Sequence, residues 1–308
     1  MREVVGKTAF ITGGASGIGL GMAHVFIDAG MNAVITDVRE DHLDAARDAL
    51  SAAGQSERAR LIQLDVTDRG QYAQVAEEAE ATFGRIDVLC NNAGIGILRP
   101  IGEASEADWD WALDVNVTGV FNGVKAILPR IRAHGQGGHV VNTASMAGIL
   151  QYSRAGLYVA SKFAVVGFSE ALHAELAPEG IGVSAFCPGG VRSNIRDSEK
   201  TRPERLAGPQ APAPGAPAPG FTFSDADRVP LAALTATPEE AGCRVLQGIR
   251  DNSLYIFTAP EFRLGVEERY PAIRAALGED AERERTALEL IPGLVGSPIY
   301  RQALERER

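Results

Sequence analysis

Short apolar runs alternate with amphipathic stretches over the first two thirds of the chain. The runs are rich in β-branched residues and nearly continuous in apolar positions, which is typical of strands covered on both faces of a parallel sheet. Strands are predicted at residues 8–14, 32–37, 60–65, 86–93, 138–145, 182–189 and 254–260. Helices are predicted at residues 17–30, 40–53, 69–83, 106–133, 154–177 and 238–251. This alternation predicts an α/β fold with a doubly wound, seven-stranded parallel sheet flanked by helices.

Two segments depart from this alternation. Residues 192–235 show no clear strand and include PQAPAPGAPAPG, whose proline and glycine content excludes a helix or an inner strand. We interpret this segment as a long substrate loop, with Phe221 and Phe223 closing over an apolar ligand. Residues 261–308 carry apolar positions at helical spacing and are predicted to form a C-terminal helical tail. Neither segment is large enough for its own core, so residues 1–308 are predicted to form a single domain.

The chain has 308 residues and a formal net charge of −10. An acidic surface argues against nucleic-acid and anionic-membrane partners, because both require a basic footprint. No apolar run approaches the length that crosses a membrane. The cysteines Cys90, Cys187 and Cys243 form neither a metal-ligand motif nor a disulfide framework, which suits a reducing compartment. We therefore expect a cytoplasmic protein without a metal site.

A glycine-rich loop follows the first predicted strand and precedes the first predicted helix. The loop is TGGASGIG, residues 12–19, with Gly13, Gly17 and Gly19 spaced G-x-x-x-G-x-G. Glycine permits a tight turn there and lets the backbone approach a pyrophosphate, which the start of the following helix attracts. Asp37 ends the second strand about 20 residues downstream, where a dinucleotide-binding Rossmann fold carries an acidic residue for the adenosine ribose.

A tyrosine and a lysine lie four residues apart in YVASK, and so they share one face of a predicted helix. The ammonium of Lys162 beside the phenol of Tyr158 would favour the phenolate and lower its pKa. A tyrosine tuned in this way can exchange a proton with an alcohol near neutral pH. Ser145 ends the VVNTAS strand, at the sheet edge where α/β proteins bind ligands. These three residues predict acid–base chemistry on a hydroxyl or carbonyl group.

From about Lys7 to Leu254, the chain resembles the short-chain dehydrogenase/reductase family. The resemblance rests on TGGASGIG, Asp37, LDVTD, NNAG, Asn116, Ser145, YVASK and PGGV, which occur in that order. It implies that Tyr158 is the general acid/base and that Lys162 lowers its pKa and binds the nicotinamide ribose. It further implies that Ser145 holds the substrate oxygen and that Asn116 anchors a water in a proton relay. The implied catalytic set is Asn116, Ser145, Tyr158 and Lys162.

The resemblance also extends the cofactor site beyond the glycine loop and Asp37. Asp65 and Val66 are implied at the adenine, Asn92 to Gly94 along the cleft, and the PGGV segment at the carboxamide. Ser193 stands where many members have threonine, and it keeps the hydroxyl. The full predicted cofactor set is Gly13, Ser16, Gly17, Ile18, Gly19, Asp37, Asp65, Val66, Asn92, Ala93, Gly94, Tyr158, Lys162, Pro188, Gly189, Val191 and Ser193.

The function implied is that of an NAD-dependent alcohol dehydrogenase or ketoreductase. NAD is predicted over NADP because the carboxylate of Asp37 would repel a 2′-phosphate. Arg39, two residues further along, is the one feature that favours NADP, since its guanidinium could bind that phosphate. The segments SNIRDSEKTRPERL and DNSLYIFTAPEF resemble those of bacterial dehydrogenases acting on aryl alcohols, including the benzylic carbon of lignin-derived dimers. A bulky hydrophobic or aryl secondary alcohol is therefore the predicted substrate.

Other functions stay open at this point. A hydroxysteroid-type dehydrogenase is the main alternative, and a cofactor-binding sensor without catalysis or an epimerase on a related scaffold are further ones. Trp109, Trp111 and the histidines are interpreted as packing, helix or loop residues. The family resemblance also implies a homotetramer or homodimer, with the helices at 106–133 and 154–177 at subunit contacts.

Overall fold

The computed structural model describes residues 1–207 and 233–306 of the chain. The residues group into two compact units, Met1–Ala259 and Pro260–Arg308. The first unit contains the strands and all of the predicted site residues. The second unit contains helices alone within the part that is described.

The first unit is built on a seven-stranded sheet in which each pair of neighbours is parallel. The strands are β1 (Thr8–Thr12), β2 (Asn32–Asp37), β3 (Ala59–Gln63), β4 (Val88–Asn91), β5 (Gly138–Thr143), β6 (Ile181–Cys187) and β7 (Tyr255–Phe257). Their order across the sheet is β3-β2-β1-β4-β5-β6-β7. The strand order reverses between β1 and β4, which creates a crevice at the carboxyl ends of these two parallel strands.

Helices cover both faces of the sheet. They are α1 (Gly17–Asp28), α2 (Glu40–Ala52), α3 (Arg69–Phe83), α4 (Glu106–Leu113), α5 (Gly119–Ala133), α6 (Gly156–Leu176) and α7 (Pro238–Asp251). One apolar core joins the sheet to α1, α2 and α7, for example through Phe26 and Val245. A second core joins the opposite face to α3, α5 and α6, with Tyr72 and Ile127 fully buried. The predicted doubly wound fold with a seven-stranded parallel sheet is thus confirmed.

The helix predicted at residues 106–133 differs in the structure. It is interrupted between α4 and α5 by a π-helical turn, Asp114–Thr118. Single π-helical turns inside helices are rare and occur often at functional sites. Asn116 lies in this turn and is buried, because its side chain bonds the backbone of another segment. The interruption therefore coincides with a tertiary contact.

The predicted substrate loop is described in part. Residues 192–207 are described and include two short 3₁₀-helical segments, Ile195–Thr201 and Glu204–Leu206. Arg202 holds this part against α4: its guanidinium donates to the buried Asp108 carboxylate at 2.7 Å and stacks over Trp111 at 4.2 Å. Phe221 and Phe223 lie outside the described residues.

In its described part, the second unit contains four α-helices: α8 (Arg263–Leu277), α9 (Ala281–Leu290), α10 (Pro292–Val295) and α11 (Pro298–Arg306). The C-terminal helical tail is therefore confirmed. Within the described ranges, no helix of either unit has the length and apolar character that a membrane span requires.

Two glycines allow α1 and α7 to pack backbone against backbone. A Cβ added to Gly21 would lie 2.2 Å from the carbonyl oxygen of Pro238, and one added to Gly242 would lie 2.7 Å from that of Gly21. Contacts of this length with backbone atoms force the helices apart, and overpacking of a core costs about 1–3 kcal/mol.

We expect Gly21→Ala to lower the free energy of unfolding by about 1–3 kcal/mol, because α7 cannot move without disturbing the sheet. Gly70→Ala is the matched control, since Gly70 is exposed on α3 and its nearest neighbour is a side-chain oxygen at 3.3 Å. The control should be neutral or stabilising by up to about 1 kcal/mol. Urea unfolding measures both, and equal effects would contradict the packing argument.

Candidate active site

A cavity of about 400 Å³ opens at the carboxyl edge of the sheet. Its walls are made by residues at or just after the ends of β1 to β6, and its volume suits a small organic ligand. Most predicted site residues line it: Gly13, Ser16, Gly17, Ile18, Asp37, Asp65, Val66, Asn92, Ala93, Gly94, Ser145, Tyr158, Lys162, Pro188, Gly189, Val191 and Ser193. Gly19 and Asn116 are predicted site residues that lie behind this lining.

The glycine loop is shaped by contacts that exclude side chains. Gly13 and Gly17 have positive φ angles of 57° and 49°, which favour glycine. A Cβ on Gly13 would lie 2.8 Å from the Cα of Ala93, and one on Gly19 would lie 2.2 Å from the carbonyl oxygen of Gly13. The three predicted glycines are thus required by backbone packing.

The first turn of α1 is open to an anion. Ser16 is the N-cap residue, but its side chain makes no capping hydrogen bond, and the first turn carries no acidic residue. The first N–H groups of a helix have no partner within the helix, and the positive end of its dipole lies there. Together with the glycine cradle, this turn fits the diphosphate of a dinucleotide.

Thr12 and Asn92 join the ends of β1 and β4. The Thr12 hydroxyl accepts from the backbone N–H groups of Asn92 and Ala93, each at 3.0 Å. The Asn92 side-chain amide donates to the carbonyl oxygens of Thr12 and Gly13, each at 3.1 Å. Asn92 therefore fixes the loop from below, while its backbone forms part of the cavity wall.

Asp37 is 8% exposed at the end of β2. Its carboxylate accepts from the backbone N–H of Arg39 at 3.1 Å, and His42 Nδ1 lies 3.8 Å away. Burial raises the pKa of Asp37, and these neighbours partly oppose the increase. The guanidinium of Arg39 is bound to Asp41, with Nε at 2.9 Å from the carboxylate. The acidic group thus faces the cavity, and the basic group beside it is already paired.

Asp65 and Val66 form the neighbouring wall. The Asp65 carboxylate accepts from the backbone and the hydroxyl of Thr67, both at 2.8 Å, which fixes the turn after β3. Val66 packs against α5, where a Cβ on Gly119 would lie 2.7 Å from a methyl group of Val66. This apolar wall beside a carboxylate fits an adenine ring.

Lys162 is 3% exposed and lies on α6. Its ammonium donates to the carbonyl oxygen of Thr143 at 2.9 Å. Burial lowers the pKa of Lys162 to about 8. A cation held in this way costs stability, and such groups are concentrated at functional sites.

Tyr158 is half-buried one turn before Lys162, whose ammonium lies 5.6 Å from the centre of the phenol ring. The pKa of Tyr158 is raised, because burial disfavours the phenolate more than a hydrogen bond with Ser145 favours it. This differs from the expectation that Lys162 lowers the phenol's pKa. The ammonium donates its hydrogen bond to the Thr143 carbonyl and not to the phenol, and burial is the largest influence on the pKa of Tyr158.

Asn116 uses its whole side-chain amide within the protein. Its Oδ1 accepts from the backbone N–H of Ile95 at 2.8 Å, and its Nδ2 donates to the Ile95 carbonyl and the Ser161 hydroxyl, each at 3.0 Å. A Cβ added to Gly94 would lie 3.2 Å from Asn116 Oδ1 and 3.3 Å from Lys162 Nζ. A side chain at position 94 would therefore occupy the space between Asn116 and Lys162.

The PGGV segment follows β6 and closes the cavity on the far side. The Gly189 N–H donates to the Thr258 hydroxyl at 3.1 Å, and the Pro188 carbonyl accepts from Met146, next to Ser145, at 2.9 Å. Ser193 crosses to the glycine loop, where its Cβ lies 3.0 Å from the position of a Cβ on Gly17. These contacts connect both ends of the cavity.

Several residues of the lining were not among the predicted site residues. Trp111, interpreted as a packing residue, is buried and also contributes to the wall. His42, Ile95, Arg196 and Arg205 line the cavity as well. Ile95 directly follows the NNAG motif, so the sequence could have predicted it as a site residue. The positions of His42, Trp111, Arg196 and Arg205 in the lining depend on how distant segments pack. Within residues 1–207 and 233–306, no group of three or more metal-ligating side chains occurs.

The fold and the cavity define a dinucleotide-binding α/β enzyme with a serine, a tyrosine and a lysine at the reacting end. The family model described as short chain dehydrogenase matches residues 7–204. The chain belongs to the short-chain dehydrogenase family, as its motifs predicted.

Individual relatives cover different shares of the chain. A C alpha-dehydrogenase from Sphingobium sp. (strain SYK-6) is 35% identical over 298 residues, which are 94% of each protein. The 3beta-hydroxysteroid dehydrogenase 2 of Eggerthella lenta is 36% identical over 193 residues, 62% of this chain and 74% of that protein. A short chain dehydrogenase/reductase from Burkholderia phymatum, solved in complex with NAD, is 34% identical with a TM-score of 0.80, covering 90% of this chain and 97% of its own.

The buried ammonium leads to a stability prediction. Below pH 8 the folded protein carries the full cost of burying the Lys162 cation; as pH rises from about 8 toward the ordinary 10.5, the folded state loses that proton first. The free energy of unfolding of the wild type should therefore rise relative to Lys162→Met, by about 2 kcal/mol between pH 7 and pH 9.5.

Denaturant unfolding of both proteins across this pH range measures the difference. Lys125→Met is the control, since Lys125 is exposed on α5 and should give no such trend. A pH-independent difference between the wild type and Lys162→Met would show that burial does not shift this ammonium.

Proposed function

We propose that the protein is an NAD-dependent dehydrogenase that interconverts a secondary alcohol and a ketone. The observation that carries the proposal is that Ser145, Tyr158 and Lys162 line the same cavity as the glycine loop and Asp37. A dinucleotide that fills the cradle would extend from the acidic end toward these three side chains. The relative solved with NAD supports the same cofactor here.

The chain's own residues hold the substrate and move its proton. When bound, NAD accepts or supplies the hydride. Ser145 holds the substrate oxygen beside Tyr158 Oη, which takes the hydroxyl proton during oxidation and returns it during reduction. Asn116 positions the Ile95 backbone and, with Ser161, joins the π-helical turn to α6 beside the reacting groups. Lys162 binds the ribose next to the nicotinamide.

The raised pKa of Tyr158 bears on the direction of the reaction. At neutral pH the phenol keeps its proton, and a phenol beside a ketone oxygen is a proton donor. Oxidation of the alcohol requires the opposite transfer, so its rate rises as the pH approaches the pKa of the phenol. Near neutrality the phenol is therefore in the form that reduction needs.

The substrate we propose is a bulky alcohol whose hydroxyl lies on the carbon next to an aromatic ring. Trp111 and Ile95 give the cavity an apolar wall near the reacting side chains. The Cα-dehydrogenase relative aligns over 94% of this chain, whereas the hydroxysteroid dehydrogenase aligns over 62%. The longer match includes segments beyond the dinucleotide core, and it favours the aryl substrate over the steroid.

Initial rates with NAD⁺ test the substrate proposal. The panel should contain 1-arylpropanols with a β-aryl ether, 3β-hydroxysteroids and aliphatic secondary alcohols of matched size. The highest kcat/KM is expected for the aryl ether. A higher value for the steroid would favour the hydroxysteroid alternative, and no turnover with any alcohol would favour a cofactor-binding sensor.

We expect Tyr158→Phe to lower kcat by about 10²–10⁴-fold or more while leaving the Kd for NADH largely unchanged, because only the proton-transferring hydroxyl is lost. Tyr152→Phe removes a hydroxyl outside the cavity lining and should retain activity. Stopped-flow rates and fluorescence titration give the two quantities. Near-normal turnover in Tyr158→Phe would rule out this role.

NAD should be preferred over NADP by at least about tenfold in kcat/KM, or about 1.4 kcal/mol, because Asp37 is buried beside the proposed ribose site and Arg39 is paired with Asp41. Asp37→Ala should narrow this ratio, whereas the exposed Asp48→Ala on α2 should not. Equal rates of the wild type with both cofactors would contradict the assignment.

A homotetramer or homodimer and a cytoplasmic location stay predictions from the family and the composition. We propose that α5 and α6 form the subunit contact, in keeping with the family. Light scattering at micromolar concentration tests this assembly, and a monomer would contradict it. That residues 1–308 form one catalytic domain also stays a prediction.

A further inference from the structure

Arg196 is an exposed arginine that lines the cavity. The other two arginines of the lining are paired: Arg39 with Asp41, and Arg205 with Asp114 at 3.2 Å. Among the described residues, Arg196 forms neither an ion pair nor a side-chain hydrogen bond. Its charge is therefore available to a ligand.

The segment that carries Arg196 is fixed on both sides. Ser193 contacts the glycine loop, with its Cβ 3.0 Å from a Cβ built on Gly17. Ser198 is buried, and its hydroxyl accepts from the Gly96 N–H at 3.0 Å. Arg196 lies between these contacts, three residues from the one that touches the start of α1. It thus lines the same cavity as the loop whose backbone fits a diphosphate, three residues from a contact with that loop.

The charged groups around Asp197, next to Arg196, show that this segment lies near the Asp37 end of the cavity. Lys200 lowers the pKa of Asp197 most, and Arg39 and His42 lower it further. Arg39 and His42 flank Asp37, at the end proposed for the adenosine ribose. Asp197 forms its ion pair with Lys200, at 2.7 Å, and not with the neighbouring Arg196.

We propose that Arg196 is a further cofactor-binding residue, whose guanidinium binds the diphosphate of NAD opposite the N-terminus of α1. The helix end supplies about half a positive charge, which alone does not balance the two negative charges of a diphosphate. A guanidinium matches phosphate oxygens with paired donors. This inference rests on the proposed function, because it assumes that a dinucleotide fills the cradle.

Binding measurements test the inference without turnover. Isothermal titration of the full chain should compare three ligands: NADH, ADP-ribose and adenosine. All three contain adenosine, but only NADH and ADP-ribose contain the diphosphate. Arg196→Gln should weaken NADH and ADP-ribose by the same factor, about three- to thirtyfold, and leave adenosine unchanged. Arg196→Lys should recover part of the loss, since it keeps the charge.

The matched control is Arg192→Gln, which removes an exposed arginine of the same segment that does not line the cavity. It should bind all three ligands like the wild type. Salt provides a second readout: the affinity for ADP-ribose should fall less steeply with salt in Arg196→Gln than in the wild type.

Unchanged NADH and ADP-ribose affinities in Arg196→Gln would overturn the inference. So would an unchanged affinity for NADH together with a higher KM for the alcohol, because Arg196 would then bind the substrate. If the wild type fails to bind NADH at all, the proposed function itself is wrong. Tight binding of NADH by both proteins would remove only the role of Arg196.

Discussion

The close approach of the glycine loop to the end of β4 is the contact on which the rest of the site depends. The Gly13 backbone lies so near Ala93 that an added Cβ would be 2.8 Å from its Cα. Thr12 and Asn92 hold the same two segments together through four hydrogen bonds. A side chain at position 13 would push the strand ends apart, close to where α1 begins. The anion cradle and the wall next to Gly94 therefore rest on this backbone contact and on the four hydrogen bonds beside it.

The reacting end carries the opposite kind of constraint, since it holds a charge that folding disfavours. Lys162 is buried with the Thr143 carbonyl as its hydrogen-bond partner, and the phenol of Tyr158 lies beside it. Desolvation pushes both groups toward their neutral forms. The π-helical turn at Asn116 adds a further local departure from regular structure. The two apolar cores on either side of the sheet supply the stability that makes these costs tolerable.

Local signals in the sequence were sufficient for most of the fold. The boundaries of β2 and α3 were predicted to the residue, because Asp37 ends an apolar run, and Asp68 caps α3 before Gly84 ends it. Three features were beyond such signals. The π-helical turn coincides with a contact between Asn116 and a segment distant in sequence. The raised pKa of Tyr158 results from burial, and the position of Arg196 depends on segments that meet only in the folded chain. The spacing of sequence motifs predicts none of these three features.

The charge of the whole chain and the charge of its site also have to be reconciled. A net charge of −10 argues against long polyanions, which would meet the acidic surface over many Debye lengths. A dinucleotide is short, and charges farther than about 10 Å from its diphosphate are largely screened. The groups that would act on the dinucleotide lie close to it. They are the open first turn of α1, the guanidinium of Arg196, which has no partner within the described residues, and Asp37 at the other end. An acidic protein can therefore bind this anion and still discriminate against one further phosphate.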